Sequence, residues 1–399
     1  MSNIKKYCIF TTIYNVGFTF STGAIMQTFL IQAGFSATEV YVLNSLMQIM
    51  QVAMMLVLTF LSGKIKRVKM VTSISYLSLS LLTVVFLMGA INPELIKRGY
   101  VITVFIVAGV SYVGVGLYTI LAYCLPYYTI DMRDYGKMTG ISTAIAGGAS
   151  FLVSLVYSIL LSKFSYMKTT AVFFVIAIVC FILTSIVCAS MREKTVEPSK
   201  ELEKADATAV FKNKNTYILL FPNFTRGLAV GVFNVIATIA ISTGVLNETT
   251  SSYVNVILQI ATFGGNLFFA FAYKKFSTKN LLLLATIGVC VSFPFSLKLG
   301  VVGFFCCFAV ASFFRFVTDT AFPVIITEII PKEQIGPYTS IRMLVFTGAQ
   351  AVATLLITPL KNAIGYTGVL IFATVMLFIC GVTYYVVAKC VKQSTTKVS

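Results

Sequence analysis

The chain has 399 residues, of which 58% are hydrophobic and 11% charged, and its mean hydropathy is +0.92. A soluble domain carries about 25% charged residues, so this much apolar surface cannot be hidden in a globular core, and the solvent of the fold must be lipid. The net charge of +17 suggests nucleic acid at first sight. The basic residues, however, lie in short loops between apolar runs without a basic–aromatic recognition motif, and the positive-inside rule explains them better.

A spanning helix needs about 20 apolar residues. Twelve such runs are predicted, at about 8–31, 40–62, 70–91, 101–127, 138–161, 169–190, 216–243, 252–273, 280–297, 301–329, 339–360 and 366–388. They are too long for strands and do not alternate with period two. The first run is too long for a signal-peptide core and lacks a small-residue cleavage site, so it is expected to be a retained helix. It carries Asn15, Thr19 and Gln27. The fourth run is rich in tyrosine, with Tyr112, Tyr118, Tyr123 and Tyr127. Such rings pack and anchor at the interface, and some can stack on a solute. After the sixth run comes a mixed-charge stretch, 191–215, in which Glu193, Glu197, Glu201, Glu203 and Asp206 stand among six basic residues. It reads as a tether. The seventh run holds Arg226 and Asn234, and the tenth holds Arg315 and Asp319.

The second half of the chain repeats the first about two hundred positions later. Pro126-Tyr-Tyr-Thr-Ile-Asp131 returns as Pro323-Val-Ile-Ile-Thr-Glu328, and Asn44 and Gln48 return as Asn255 and Gln259. Gly17 and Gly34 fall on Gly227 and Gly244. The recurring amides are expected to bond between helices, and the two prolines to kink the ends of the fourth and tenth runs. Duplication in an apolar chain is a mark of membrane carriers. The domains expected are a six-helix bundle over 1–190, a linker over 191–215 and a second bundle over 216–399.

With both termini cytoplasmic, twenty-one Lys and Arg fall on the inside, six in outside loops, and Arg226, Arg315 and Arg342 within helices. That bias predicts a multi-pass protein of the cell membrane with both ends inside. The nine cysteines form no CxxC pair and there is no His. Neither a disulfide framework nor a metal site is expected, and no cofactor.

Twelve helices in two copies of six, with a charged middle loop, resemble the major facilitator superfamily over nearly the whole chain. The loop after the second run, Leu61-Ser-Gly-Lys-Ile-Lys-Arg67-Val-Lys69, resembles that family's basic loop, with Gly63 where the family usually has Asp. Its copy reads Tyr273-Lys-Lys-Phe-Ser-Thr-Lys279. Asp131-Met-Arg133-Asp134-Tyr-Gly136 and Glu328-Ile-Ile-Pro331 resemble its acidic turns. The resemblance implies an all-α membrane fold of twelve transmembrane helices, as two six-helix bundles related by a pseudo-two-fold axis along the membrane normal. It also implies a cytoplasmic charge relay, for which Arg67, Lys69, Asp131, Arg133, Lys275 and Glu328 are the candidates. The first, fourth, seventh and tenth helices would line a central cavity.

A charge inside a membrane costs about 2.5–3.5 kcal/mol on insertion scales and points to function. Arg315 and Asp319 stand four residues apart on one helix face, so a structural ion pair is one reading. The other is that Arg226 and Arg315, two planar forks against one acid, hold an anionic or hydroxyl-rich solute. Tyr118, Tyr123, Asn15 and Asn234 would complete that contact. With no His, Asp319 is the natural proton carrier: burial favours its neutral form, and an adjacent Arg its charged form. There is no phosphate-binding GxxxxGK[ST] loop and no nucleophile–base set, which argues against a pump or an enzyme. The function expected is a monomeric secondary transporter of a small polar solute, with sugars and organic acids as candidates. It would work by alternating access with H+ (or Na+) symport. The alternatives are proton-driven efflux of amphipathic compounds, or a non-transporting receptor or scaffold on the same fold.

Overall fold

The computed structural model describes residues 2–61, 68–96, 98–129, 132–192, 214–272, 275–330 and 335–396. The side chains of 59–61, 98, 123–124, 126–128, 132–141, 143–144, 214–216, 327–328, 335–337 and 391–396 are excepted. The chain order is α1 Asn3–Ser21, α2 Gly23–Gln32, α3 Ala37–Leu61, α4 Val68–Ser75, α5 Ser78–Ile91, α6 Arg98–Thr129 and α7 Met132–Leu161. It continues with α8 Tyr166–Ala189, α9 Lys214–Asn234, α10 Ile236–Ser242, α11 Glu248–Ala272, α12 Thr278–Ser292, α13 Gly300–Ile329 and α14 Ile335–Thr396. No strand occurs among the described residues. Among the described residues, eight segments are long and apolar enough to cross a membrane, or nine with α9 and α10 as one bent span. One of the eight, Tyr338–Cys390, has 53 residues. At 1.5 Å per residue that is ~80 Å, against a hydrocarbon core of ~30 Å, so it holds two spans. Gly365, at φ 69°, separates them. With that segment counted as two spans and α9 with α10 as one, the described residues hold ten such passes; α1 with α2, and α7, bring the helical passes to the twelve expected from sequence.

Lipid is visible as the solvent in which side chains are left outside. On α6, Ile102, Ile106 and Val110 recur every four residues and are all exposed, and on α8 so are Val172, Val175, Val179, Ile182 and Ile186. An apolar face at helical spacing with nothing over it suits a bilayer and not water. Many small polar residues are inside, and a recurring arrangement returns their hydroxyls to the backbone. Thr12, Thr19, Thr28, Thr72, Thr83 and Thr119 each donate to the carbonyl four residues back.

Three of the predicted runs are broken. The first parts at Thr22 (φ −143°, ψ 178°) and Gly23 (φ 63°), a left-handed position that favours glycine. At the break Thr22 Oγ1 donates to the backbone carbonyl of Phe18, and the neighbouring Ser21 hydroxyl shares a hydrogen bond of 2.7 Å with the Thr83 hydroxyl on α5. The third parts between Ser75 and Ser78, whose hydroxyls donate to Thr72 O and Ser75 O. The seventh parts at Val235. Thr22 and Val235 are 213 positions apart, against 210 for Gly17 and Gly227, so the two copies break at nearly the same place.

The repeat also survives in how those broken runs end. Gly34 (φ 83°) closes α2, with Gly34 N donating to Ile31 O and Phe35 N to Leu30 O. Gly244 (φ 72°) closes α10, with Gly244 N donating to Ile241 O and Val245 N to Ala240 O. Both are Schellman caps, which need a glycine at the left-handed position.

By internal contacts the chain forms two compact units, one of Met1–Glu197 with Val235–Gln259, the other of Pro198–Asn234 with Ile260–Ser399. In the first, α1 packs on α7 and α8, α6 on α3 and α5, and α10 on α2. Its core runs through Phe20, Phe29, Phe86, Tyr157, Phe174 and Phe181. Thr238, whose backbone N–H is left free by the restart of the helix at Ile236, donates both N–H and hydroxyl to Gln27 Oε1, at 3.3 and 3.0 Å. In the second unit, α9 runs along α14, and α12 lies against α13 and α14.

Candidate solute and coupling site

The seventh run, with Pro222 inside it, packs unusually close to α14. A Cβ on Gly227 would lie 2.5 Å from Phe346 O and 2.6 Å from Ala349 Cβ, and one on Gly231 2.7 Å from Ala353 Cβ. The pairs Gly227/Gly231 and Ala349/Ala353 are small residues four apart on facing helices, a seam that lets backbones touch in lipid. That seam fixes Arg226. Its guanidinium lies 4.7 Å from the ring centres of both Phe346 on α14 and Phe322 on α13, within cation–π range.

From α13, Arg315, Asp319 and Phe322 project on one face at helical spacing. Arg226 Nη2 donates to Asp319 Oδ1 at 2.5 Å and Nε to the same oxygen at 3.2 Å. Arg315 Nε is 3.8 Å from Asp319 Oδ2, an ion-pair separation but too long for a hydrogen bond. The side chains are 11% (Arg226), 12% (Arg315) and 23% (Asp319) exposed, so the acid is the most open of the three. Arg315 lies 5.2 Å from the ring of Phe233, which stacks on Phe293 at 3.7 Å, and 5.6 Å from that of Phe316. The cluster carries two cations and one anion. Chemically, a cluster with surplus positive charge can bind an anionic group.

No family model and no curated protein sequence matches the chain. Solved structures do. The crystal structure of a D-xylose–proton symporter covers 96% of this chain and 97% of its own, with a TM-score of 0.73 at 15% identity. The nucleoside transporter NupG covers 98% of each chain, with a TM-score of 0.63 at 15% identity. The major facilitator superfamily transporter FucP, described elsewhere as the fucose–proton symporter of E. coli, covers 97% of this chain and 98% of its own, with a TM-score of 0.62 at 11% identity. The chain has the major facilitator fold. At these identities the likeness is one of fold, and a fold by itself does not fix a function.

On this major facilitator scaffold, the sequence candidates divide into those that meet and those that do not. Arg226, Arg315 and Asp319 meet. Asn234, at the end of α9, is exposed and stands 3.4 Å from Gln350 Oε1. Tyr118 belongs to a ring cluster in the first unit: it is stacked on Tyr76 at 5.0 Å and hydrogen-bonded through its hydroxyl to Tyr14. Asn15 donates to Thr11 O one turn back on its own helix. Asn44, expected to bond between helices, likewise donates to Val40 O of its own helix. A buried amide with its own helix's carbonyl within reach is satisfied locally. Gln27 faces Thr238. Lys69 donates to Met191 O just past the end of α8, and Lys275 is exposed. Arg67 and Asp131 lie outside the described residues, as do the side chains of Tyr123, Arg133 and Glu328.

The sequence reading missed the aromatic walls, Phe233, Phe322 and Phe346, because phenylalanine is common in every run. It also missed Asn223, whose amide donates to Leu219 O and Tyr384 OH at 2.7 Å each and lies 3.2 Å from Tyr338 OH. Tyr384 packs on Phe322, and so on the wall of Arg226, at 4.6 Å between ring centres. An amide next to a proline inside an apolar run was the available signal.

Proposed function

We propose that the chain is a secondary carrier in the cell membrane, moving a small polar solute with an anionic group by alternating access coupled to protons. The observation that carries this reading is the buried Arg226–Asp319–Arg315 cluster, in which cations outnumber anions. Buried charge inside a membrane span is costly and is retained for solute or ion pathways. The fold supports it, since two of the structural neighbours are described as proton symporters. Asp319 holds Arg226 while ionised. Taking up a proton removes the charge that holds the arginine, so proton binding and the arrangement of the two cations are linked. The positive charge left over by that pairing orients the anionic group of the solute. Both termini lie in the cytoplasm, and the chain acts as a monomer.

The test is uptake into proteoliposomes containing the purified chain, with an imposed pH gradient and labelled sugars and carboxylates. Accumulation that collapses when the gradient is dissipated supports the reading. Absence of uptake for every compound, with or without a gradient, overturns it in favour of a non-transporting protein on this fold.

A further inference from the structure

The two arginines are not equivalent. Arg226 is committed: two of its N–H groups point at one oxygen of Asp319, and both its ring neighbours are in place. Arg315 is not. Its Nε is buried and has no hydrogen-bond partner among the described residues, and its ion-pair distance to Asp319 is 3.8 Å. One turn earlier on the same helix, Ser312 Oγ is also fully buried and without a partner among the described residues. A buried donor left unsatisfied is costly and calls for an explanation. Residues three apart on a helix are neighbours, so α13 offers two idle polar groups side by side.

We infer that Arg315, assisted by Ser312, receives the anionic group of the solute, that Arg226 neutralises Asp319, and that the solute is a monocarboxylate. The inference rests on the carrier reading. Its first support is geometric: Phe233 and Phe316 flank the Arg315 guanidinium, which leaves the planar edge for a partner, and an edge of N–H donors matches a carboxylate. The second is electrostatic. With Asp319 ionised, the three side chains sum to a single positive charge. A carboxylate cancels it. A phosphate monoester, with a charge of about −1.5 to −2 near neutral pH, would leave an excess anion in a low-dielectric setting, and a neutral sugar would leave the cation uncompensated.

The experiment measures thermal stabilisation and calorimetric Kd of the purified full-length chain with lactate, succinate, inorganic phosphate and D-xylose. Lactate is expected to bind tightest. Arg315→Gln and Arg226→Gln remove the same charge, so a purely long-range effect weakens lactate equally in both. Direct contact predicts that Arg315→Gln weakens it about tenfold more, the scale of one charge-assisted hydrogen bond. Equal losses, or a larger loss at Arg226, overturn the assignment. Because Arg226→Gln strips Asp319 of its close partner and can unfold the chain, Asp319→Asn gives a second reading. It raises the cluster to two positive charges, and the affinity ratio of lactate to succinate should fall about tenfold. An unchanged ratio overturns the charge matching. Wild-type protein that binds D-xylose or phosphate and not lactate overturns the monocarboxylate inference while leaving the carrier reading intact. If none of the four binds and vesicles show no uptake, the carrier reading falls with it.

Discussion

Arg226 Nη2 lies 2.5 Å from Asp319 Oδ1, joining residues 93 positions apart on two helices. Within the membrane fold this pair is the closest ionic contact of the cluster, and Arg315, on the same helix as the acid, is the looser partner. Removing one member of a buried pair leaves the other charge without compensation. Arg226→Ala and Asp319→Ala should therefore each cost ~3 kcal/mol, the lower end of the range for a broken buried pair because Asp319 is partly open. The apolar double replacement Arg226→Met/Asp319→Leu should recover most of that loss. Thermal unfolding of the purified variants is the measurement, and additive losses in the double variant would contradict the pairing.

In the proposed cycle Asp319 is the proton carrier. Asp319→Asn should abolish accumulation driven by a pH gradient while leaving solute exchange at equal pH on both sides. Gradient-driven accumulation at the wild-type level in Asp319→Asn would move the proton carrier elsewhere.

The seam beneath Arg226 has no room. Gly227→Val should cost about 1–3 kcal/mol through overpacking against Phe346 and Ala349. The same replacement should weaken solute binding, since Arg226 is the next residue. Gly348→Ala, at a helical position with open space around it, should leave stability unchanged or slightly raised. Circular dichroism melts of both variants decide this.

The two Schellman caps make a paired prediction. Gly34→Ala and Gly244→Ala force a Cβ into the left-handed region, at about 1–2 kcal/mol each. Their effects should be similar in size, because the two copies end their first runs in the same way. A loss at one position and none at the other, read by thermal unfolding, would show that the copies no longer share the cap.

Gln27→Leu removes the acceptor shared by Thr238 N and Oγ1. The unsatisfied buried donors should cost about 1–3 kcal/mol. Amide hydrogen exchange at Thr238 should quicken relative to Ile239, whose N–H is held by Val235 O. Unaltered exchange at Thr238 would mean that another group takes over the cap.

The sequence by itself determined the solvent, the passes and the copying. Apolar run length fixes where a helix can cross lipid, and the recurrence of Gly34 at Gly244 carried a cap geometry that only glycine accepts. It also singled out Arg226, Arg315 and Asp319, since charge in an apolar run is rare and costly. It did not determine who pairs with whom. Helical spacing favours Arg315 for Asp319, because residues four apart share a face; which arginine comes within hydrogen-bond reach depends on how closely α9 lies against its neighbours, and the glycine–alanine seam with α14 sets that. The breaks at Thr22 and Val235 escaped detection for a similar reason. Neither holds a proline, and they are held by contacts such as the Ser21–Thr83 hydroxyl pair and Gln27 on the backbone N–H of Thr238, which exist only once distant helices pack together.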